Sequence, residues 1–358
     1  MPRRLDPAIV PLAEALDRRV IEGLLATQLT GNRVKCTACA HRCTILPGLD
    51  GICRVRSNRA GTLMVPRGYI AALQIDPIEK KPFFHAFPGA EALSFGMLGC
   101  DLHCAYCQNW VTSQALRDPA ALAGPRDIDP DELVALAIAR KTPVMVSTYN
   151  EPLITAEWAV EVFAKAKAAG IVCGFVSNGN ATAEVLDFIR PYVSLYKVDL
   201  KGFKDAHYRG LGGKLASVMD TIERLHTMGF WVEIVTLLIP GWNDDPGELR
   251  DLARFLVSVS QDIPWHVTAF HGDYKMTATR DTDASDLIRA AAIGREEGLR
   301  YVYAGNLPGT VGDLEDTRCP SCGATVIARR GYRLGHRAQD AEGRCLACRT
   351  PIAGYWSA

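Results

Sequence analysis

Cys100-Asp-Leu-His-Cys104-Ala-Tyr-Cys107 decides how this chain is read. Three thiolates at CxxxCxxC spacing hold three corners of a [4Fe–4S] cluster and leave the fourth iron without a protein ligand. An open coordination position separates a reactive metal site from a structural one, whereas clusters that only carry electrons use four cysteines. The run closes an apolar, glycine-punctuated segment, Leu93-Ser-Phe-Gly-Met-Leu-Gly-Cys100, which reads as a buried strand feeding a loop. Cys100, Cys104 and Cys107 are the candidate cluster ligands. Three corners of a zinc site completed elsewhere is the alternative.

The chain has 358 residues, 48% of them hydrophobic, enough for one large α/β domain with small additions. Lys+Arg and Asp+Glu each count 40, so no overall charge argues for nucleic acid or membrane. The N-terminus (Pro2, Arg3, Arg4, Asp6) lacks a signal-peptide apolar core. No stretch offers the roughly 20 uncharged apolar residues of a membrane span. These features predict a soluble, cytoplasmic protein with no membrane partner. Eleven of the twelve cysteines fall in three sets: Cys36, Cys39, Cys43 and Cys53; Cys100, Cys104 and Cys107; Cys319, Cys322, Cys345 and Cys348. Such short spacings in a reducing compartment point to metal rather than disulfides. Cys173, inside Ile171-Val-Cys-Gly-Phe-Val176, reads as core filler.

Three textures divide the chain at 1–90, 91–312 and 313–358. In the first, apolar residues at Ile9, Val10, Leu12, Leu16, Val20 and Leu24 predict a helix from Pro7 to about Leu25. A β-like piece follows at Leu63–Leu73, then a stretch from Ile75 to Gly89 too rich in proline for regular structure. The second texture alternates strands (92–98, 143–148, 171–177, 193–199, 230–238, 265–270, 300–305) with helices (130–140, 153–169, 182–190, 214–228, 247–260, 283–297). Asp129-Pro130 supplies a cap and an N1 proline, and Gly170, Gly229 and Gly298 each close a helix. Such alternation means a parallel sheet. The expected class is α/β, a partial (β/α)6 TIM-like barrel between an irregular cysteine-rich N-terminal segment and a small C-terminal zinc-ribbon or rubredoxin-like module.

Functional groups of such sheets collect at the C-terminal ends of the strands. The strand exits carry Cys100, Ser147-Thr-Tyr-Asn-Glu-Pro152, Ser177-Asn-Gly-Asn180, Val198-Asp-Leu-Lys201, Leu238-Ile-Pro-Gly-Trp-Asn-Asp-Asp245, Phe270-His-Gly-Asp-Tyr-Lys275 and Ala304-Gly-Asn-Leu-Pro-Gly309. His271 and Tyr274 are candidates for substrate contact or proton handling. His85 with Phe83, Phe84 and Phe87 either covers the mouth or packs on the flank.

Residues 91–310 resemble the radical S-adenosylmethionine (radical SAM) core of activating enzymes such as the pyruvate formate-lyase activating enzyme. The shared features are CxxxCxxC, with Tyr106 at a position usually aromatic in that family, the Asn150-Glu151-Pro152 segment, the Ser177-Asn178-Gly179 turn, Asp199-Leu-Lys201 and Pro240-Gly-Trp-Asn-Asp244. Val176 stands where activating enzymes commonly carry an acid. From about residue 33 onward the chain resembles a narrower group, the AmmeMemoRadiSam-system radical SAM proteins. The supporting pieces are Cys36-Thr-Ala-Cys-Ala-His-Arg-Cys43, Gly51-Ile-Cys53, Asp76-Pro-Ile-Glu-Lys-Lys-Pro82 and Phe270-His-Gly-Asp-Tyr-Lys-Met276.

The resemblance implies an enzyme that cleaves SAM reductively at a [4Fe–4S] cluster and abstracts hydrogen with the 5′-deoxyadenosyl radical. It also implies an electron donor such as flavodoxin or ferredoxin. For such a ligand Glu151 and Asn150 suit the amine or the ligand's polar edge, and Ser177 and Asn178 suit carboxylate or ribose oxygens. Asp199 offers an acceptor and Lys201 a cation, on one strand face at i, i+2. Tyr106 completes this candidate cofactor set. The expected reaction is glycyl-radical-activase-like or peptide-modifying, with a protein or peptide substrate. The alternative is a small molecule or RNA gripped by the extra metal modules.

Cys319-x2-Cys322 and Cys345-x2-Cys348, 22 residues apart, read as a tetrahedral zinc site, with rubredoxin-type iron second. A module of about forty residues needs such a staple. The basic run between the knuckles (Arg329, Arg330, Arg333, His336, Arg337) reads as a solvated face, with RNA binding as the minor alternative. Cys36, Cys39, Cys43 and Cys53 suit zinc or a second Fe–S cluster, with a lean to zinc, and His41 reads as a hydrogen-bond donor rather than a ligand.

Overall fold

A computed structural model of the chain describes residues 10–356. Its centre is an eight-stranded sheet: β1 (Ala72–Pro77), β2 (Glu91–Gly96), β3 (Val144–Ser147), β4 (Val172–Ser177), β5 (Leu195–Asp199), β6 (Trp231–Leu238), β7 (Trp265–Ala269) and β8 (Val302–Gly305). The strands lie side by side in chain order. β2 to β8 are parallel, and β1 adds an antiparallel edge on β2. Each strand expected from the sequence is present. Helices Pro130–Ala139, Ala156–Ala168, Ala183–Ile189, Leu215–Thr227, Pro246–Val259 and Ala284–Glu296 join them, giving six strand–helix units and a seventh parallel strand. Asp129 caps the first helix through a capping box with Glu132. No helix among the described residues is long and apolar enough to cross a membrane.

Two expectations fail. The helix expected from Pro7 to Leu25 occupies only Val10–Asp17, and residues 7–9 lie outside the described residues. Val20–Glu22 instead pairs antiparallel with Met64–Pro66, and the Gly23 amide donates to the Leu63 carbonyl. Cross-strand bonds outweigh the helical periodicity, and Leu24 is left exposed. The proline-rich stretch is partly regular, because β1 runs through Asp76-Pro77. As an edge strand paired only with β2, it tolerates the missing proline donor.

Period-2 alternation divides the parallel strands between two environments. Leu93, Phe95, Met145, Cys173, Phe175, Tyr196 and Val198 pack in the main core with the helices, which makes Cys173 the filler expected. Ala92, Val144, Val146, Val172 and Leu195 point to the other face and pack against Ile78, Phe83 and Ala86. The segment after β1 therefore fills the inner face of the sheet. It neither covers the mouth nor lies on the flank.

Buried hydrogen bonds fix that segment. The Glu233 carboxylate on β6 accepts from the amides of Phe84 and His85, from Trp231 Nε1 and, at 2.7 Å, from His266 Nε2. A second chain starts at Arg329, which donates to Thr317 Oγ1 and the Phe84 carbonyl. It continues through Thr317 and Tyr303 to His85 Nε2, and His85 Nδ1 meets the Ala353 carbonyl at 2.6 Å. Donor order assigns His85 as the neutral Nδ1–H tautomer. Burial pushes its pKa down to about 4.

Because the unfolded chain protonates His85 more readily, the native state should lose stability as pH falls from about 6.5 toward 4. The loss is on the order of 3 kcal/mol. Chemical denaturation across that window should show a shallower pH slope for His85→Gln than for the parent. Equal slopes would remove His85 as the cause.

Candidate active site

The inner face above the Phe83 plug opens into a cavity of about 1210 Å³, lined from every strand exit between β2 and β8. β2 ends at Gly96, where a Cβ would strike the Thr148 carbonyl. The chain turns at Gly99, whose φ of +93° favours glycine, and delivers Cys100, Cys104 and Cys107 to the lining. The Leu102 amide approaches Cys100 Sγ at 3.4 Å, and Ser113 Oγ lies 3.2 Å from Cys107 Sγ. Burial pushes the Cys104 thiol up to about 12, although Lys201 pulls the other way. Thiolates in such a place need a cation as partner, so the donor set fits a metal cluster.

β3 and β4 form the adjoining wall. Glu151 accepts from the Asn178 amide at 2.8 Å, from Ser177 Oγ at 2.7 Å and from the Leu153 amide. Burial, reinforced by Asp101, raises its pKa. Asn150 Oδ1 accepts from the Met97 amide, and Asn178 Nδ2 donates to Asp101. All four expected residues line the cavity, but much of their polar capacity holds the loops in shape. Val176, where an acid is commonly found, lines the same wall. The Tyr106 hydroxyl is buried with no hydrogen-bond partner, and its ring packs on Trp242. With no exposed surface that hydroxyl does not reach the open cavity, so Tyr106 contributes other atoms to the wall.

Asp199 and Lys201 do not form a surface pair. Lys197, which sequence reasoning passed over, completes a Lys197–Asp199–Lys201 triad in the lining. Burial opposes the Asp199 charge, but the two lysines outweigh it and hold its pKa well below the carboxylate range.

His271 is exposed at the rim of the cavity, and Tyr274 is not in the lining. The Tyr274 phenol donates to Asp118 at 2.8 Å and its ring stacks on Trp110, so it pins a loop.

The flanking cysteine sets differ. Cys319 Sγ lies 3.5 Å from Cys348 Sγ, Cys322 Sγ lies 3.8 Å from Cys345 Sγ, and all four fall within 4.8 Å. Metal–sulfur bonds of about 2.3 Å give a tetrahedron with edges near ~3.8 Å, so this set can hold one ion. Among the described residues no other three His, Cys, Asp or Glu ligand atoms gather so closely. Cys36, Cys39 and Cys53 are buried and Cys43 partly so, in a knuckle docked on the Cys100 loop. His41 meets the Asp101 carbonyl at 3.1 Å, and the Ala40 amide donates to Asn180. Asp101, also passed over, is fully buried between the two cysteine sets and accepts from Asn178 and Asn180.

The site is thus that of an α/β enzyme with an open-cornered cysteine trio at the strand ends. Residues 96–256 match the radical SAM superfamily. An uncharacterized protein of Methanocaldococcus jannaschii is 34% identical over 330 residues, covering 91% of this chain and 97% of that relative. The pyruvate formate-lyase-activating enzyme of Staphylococcus aureus is 25% identical over 197 residues, 51% of this chain and 76% of the relative. A domain of the corresponding enzyme from Bacteroides vulgatus superimposes with a TM-score of 0.41 at 20% identity, covering 45% of this chain and 98% of that one. The chain thus carries a radical SAM domain, the domain of a superfamily of enzymes that use a [4Fe–4S] cluster and SAM.

Replacing Asp199 with alanine leaves two largely buried ammonium groups facing each other. Urea denaturation should show a loss of about 3 kcal/mol. A loss below about 0.5 kcal/mol, the range of ordinary surface substitutions, would mean the triad does not hold β5 in place.

Proposed function

We propose that Cys100, Cys104 and Cys107 ligate the cluster and that SAM occupies the cavity wall of Tyr106, Asn150, Glu151, Ser177 and Asn178, with Asp199 and Lys201 beside it. The carrying observation is that the cysteine trio and the polar residues of the β3, β4 and β5 exits line one cavity. When bound, cluster and SAM together supply reductive cleavage to the 5′-deoxyadenosyl radical, the agent of hydrogen abstraction.

The chain's own part is holding, orienting and drying. Hydrogen-bond donors at the thiols favour the thiolate form. The Glu151 network keeps the β3 and β4 loops in register with the cysteine loop. Leu102, Leu237 and Phe270 line the cavity with apolar surface that keeps water from a reactive intermediate. His271 is the group at the rim suited to substrate contact or proton handling.

The reaction is activating-enzyme-like, forming a glycyl radical on a partner or modifying a peptide side chain, with an electron donor of the flavodoxin or ferredoxin type. The supports are the activating-enzyme relatives and the motifs shared with the AmmeMemoRadiSam-system group. Zinc is the metal best suited to the C-terminal quartet. The N-terminal quartet takes a second Fe–S cluster more readily than zinc, because its sulfurs are not drawn into a single-ion tetrahedron. This reverses the sequence-based lean. The division at 1–90, 91–312 and 313–358 is one of sequence texture, and Phe84, Tyr303, Cys319 and Cys345 share one core across it. A cytoplasmic, reducing setting suits three reduced cysteine sets.

One observation favours the second reading, a small-molecule substrate. The C-terminal hairpin is part of the cavity wall.

Anaerobically reconstituted protein should form 5′-deoxyadenosine from SAM under dithionite, and Cys104→Ala should abolish it. Persistence of cleavage in that variant would refute the assignment. Iron near eight per chain, with one zinc, supports the auxiliary cluster; iron near four with two zincs rejects it.

A further inference from the structure

A drug-sized ligand occupies a pocket of roughly 300–1,000 Å³. The cavity, at about 1210 Å³, exceeds that range. Its two ends have different owners. One carries the cysteines and the β3–β5 exits. The other is built by β8, by Lys80 and by the C-terminal sheet of β9 (Thr317–Arg318), β10 (Thr325–Arg330) and β11 (Arg333–Arg337). The β10–β11 turn puts Arg330, Tyr332 and Arg333 in the lining.

The basic run of this module is therefore divided. Arg329 is buried and serves the hydrogen-bond chain to His85. Arg330 and Arg333 are exposed residues at the mouth of the cavity, while His336 and Arg337, exposed as well, lie outside its lining. A nucleic-acid surface would present such residues together on one open face.

The turn is held as a wall. The buried Glu315 carboxylate accepts from the Gly331 amide at 2.6 Å and the Gly309 amide at 2.9 Å, joining the hairpin to the β8 exit. Gly331 has a φ of +61°, and a Cβ there would crowd Pro308 at 3.1 Å. Tyr332 donates to Asn306.

Carboxylates and guanidinium groups share this end of the lining. Among the described residues neither Arg330 nor Arg333 has an ion-pair or side-chain hydrogen-bond partner. The acids in the same lining are held by other groups and pair with neither arginine: Glu315 accepts from two amides, Glu79 from the Gly89 amide with Arg329 Nε 3.8 Å away, and Asp281 from the Gly272 amide. Lys80 pairs with Asp76. Two free guanidinium forks remain beside a space that accepts a molecule, and their planar donor geometry matches carboxylate and phosphate oxygens.

We propose that this arginine wall binds an anionic group, phosphate or carboxylate, of a small-molecule substrate that shares the cavity with SAM. The proposal rests on reading the cavity as the radical SAM site and on the second reading above, a small-molecule substrate, which it narrows to a small organic anion.

The test is calorimetric titration of the full-length reconstituted protein, saturated with SAM, using pyrophosphate and citrate as probes. At least one probe should bind. The double substitution Arg330→Gln, Arg333→Gln should weaken binding about tenfold or more. Arg337→Gln, with the same kind of charge change outside the lining, should leave it unaltered. Zinc content and circular dichroism report whether each variant is folded. Preference for pyrophosphate assigns a phosphorylated substrate, and preference for citrate a carboxylate. No binding of either probe, equal binding by the double variant, or an equal loss in Arg337→Gln overturns the proposal. Arginine-dependent binding in a protein that cleaves no SAM would refute the reaction and leave the anion site. SAM cleavage without such binding would do the reverse.

Discussion

Glu233 is a carboxylate with no exposed surface, on the inner face of a sheet where apolar residues surround it. Burying that charge would cost several kcal/mol without partners. It has four: two backbone amides of the plug segment, an indole and an imidazole. The two amides at residues 84 and 85 are the important ones, because they turn a proline-rich, aromatic loop into the floor of the cavity. His85 then carries the constraint outward through Tyr303 and Thr317 to Arg329. The cavity floor and the C-terminal module are thus joined by hydrogen bonds that meet at His85.

The cysteine loop has an analogous anchor in Asp101. A buried aspartate between two sets of thiols is electrostatically unfavourable, since it raises the pKa of Cys39 and Cys100 behind the larger effect of burial. Its compensation is geometric. It ties the β4 exit, through Asn178 and Asn180, to the loop that carries Cys100, while its carbonyl meets His41 of the N-terminal knuckle. A Cβ at Gly99 would meet the Cys53 carbonyl at 3.2 Å, so the two cysteine sets are also in close backbone contact.

The parallel sheet was legible because each strand is a short apolar run ended by polar residues and each helix carries its own cap or closing glycine. These are local signals, and Asp129 and Gly170 act within a few residues of themselves. The cysteine sets were legible for the same reason. What could not be read were pairings between distant residues. Lys197 reads as an interior strand residue until Asp199 and Lys201 are seen beside it. The helical periodicity of Val20 and Leu24 was real, but the partner at Met64–Pro66 lies over forty residues away. Arg330 and Arg333 are exposed, as a solvated face requires, and only the approach of the β8 exit to their turn places them at the cavity mouth.

That last case bears on what the C-terminal module is for. Four sulfurs on two knuckles fix the base of a three-stranded sheet whose far end is the turn at residues 330–333. A module this small has little core of its own, and Cys319, Cys345, Val326 and Ile352 pack with Phe84, Tyr301 and Tyr303 from the rest of the chain. A metal in the quartet therefore acts at a distance from itself. It holds β10, β10 holds the turn, and Glu315 clamps the turn to the β8 exit. The module is better regarded as part of the cavity wall than as an appended grip, because Arg330, Gly331, Tyr332 and Arg333 belong to the lining.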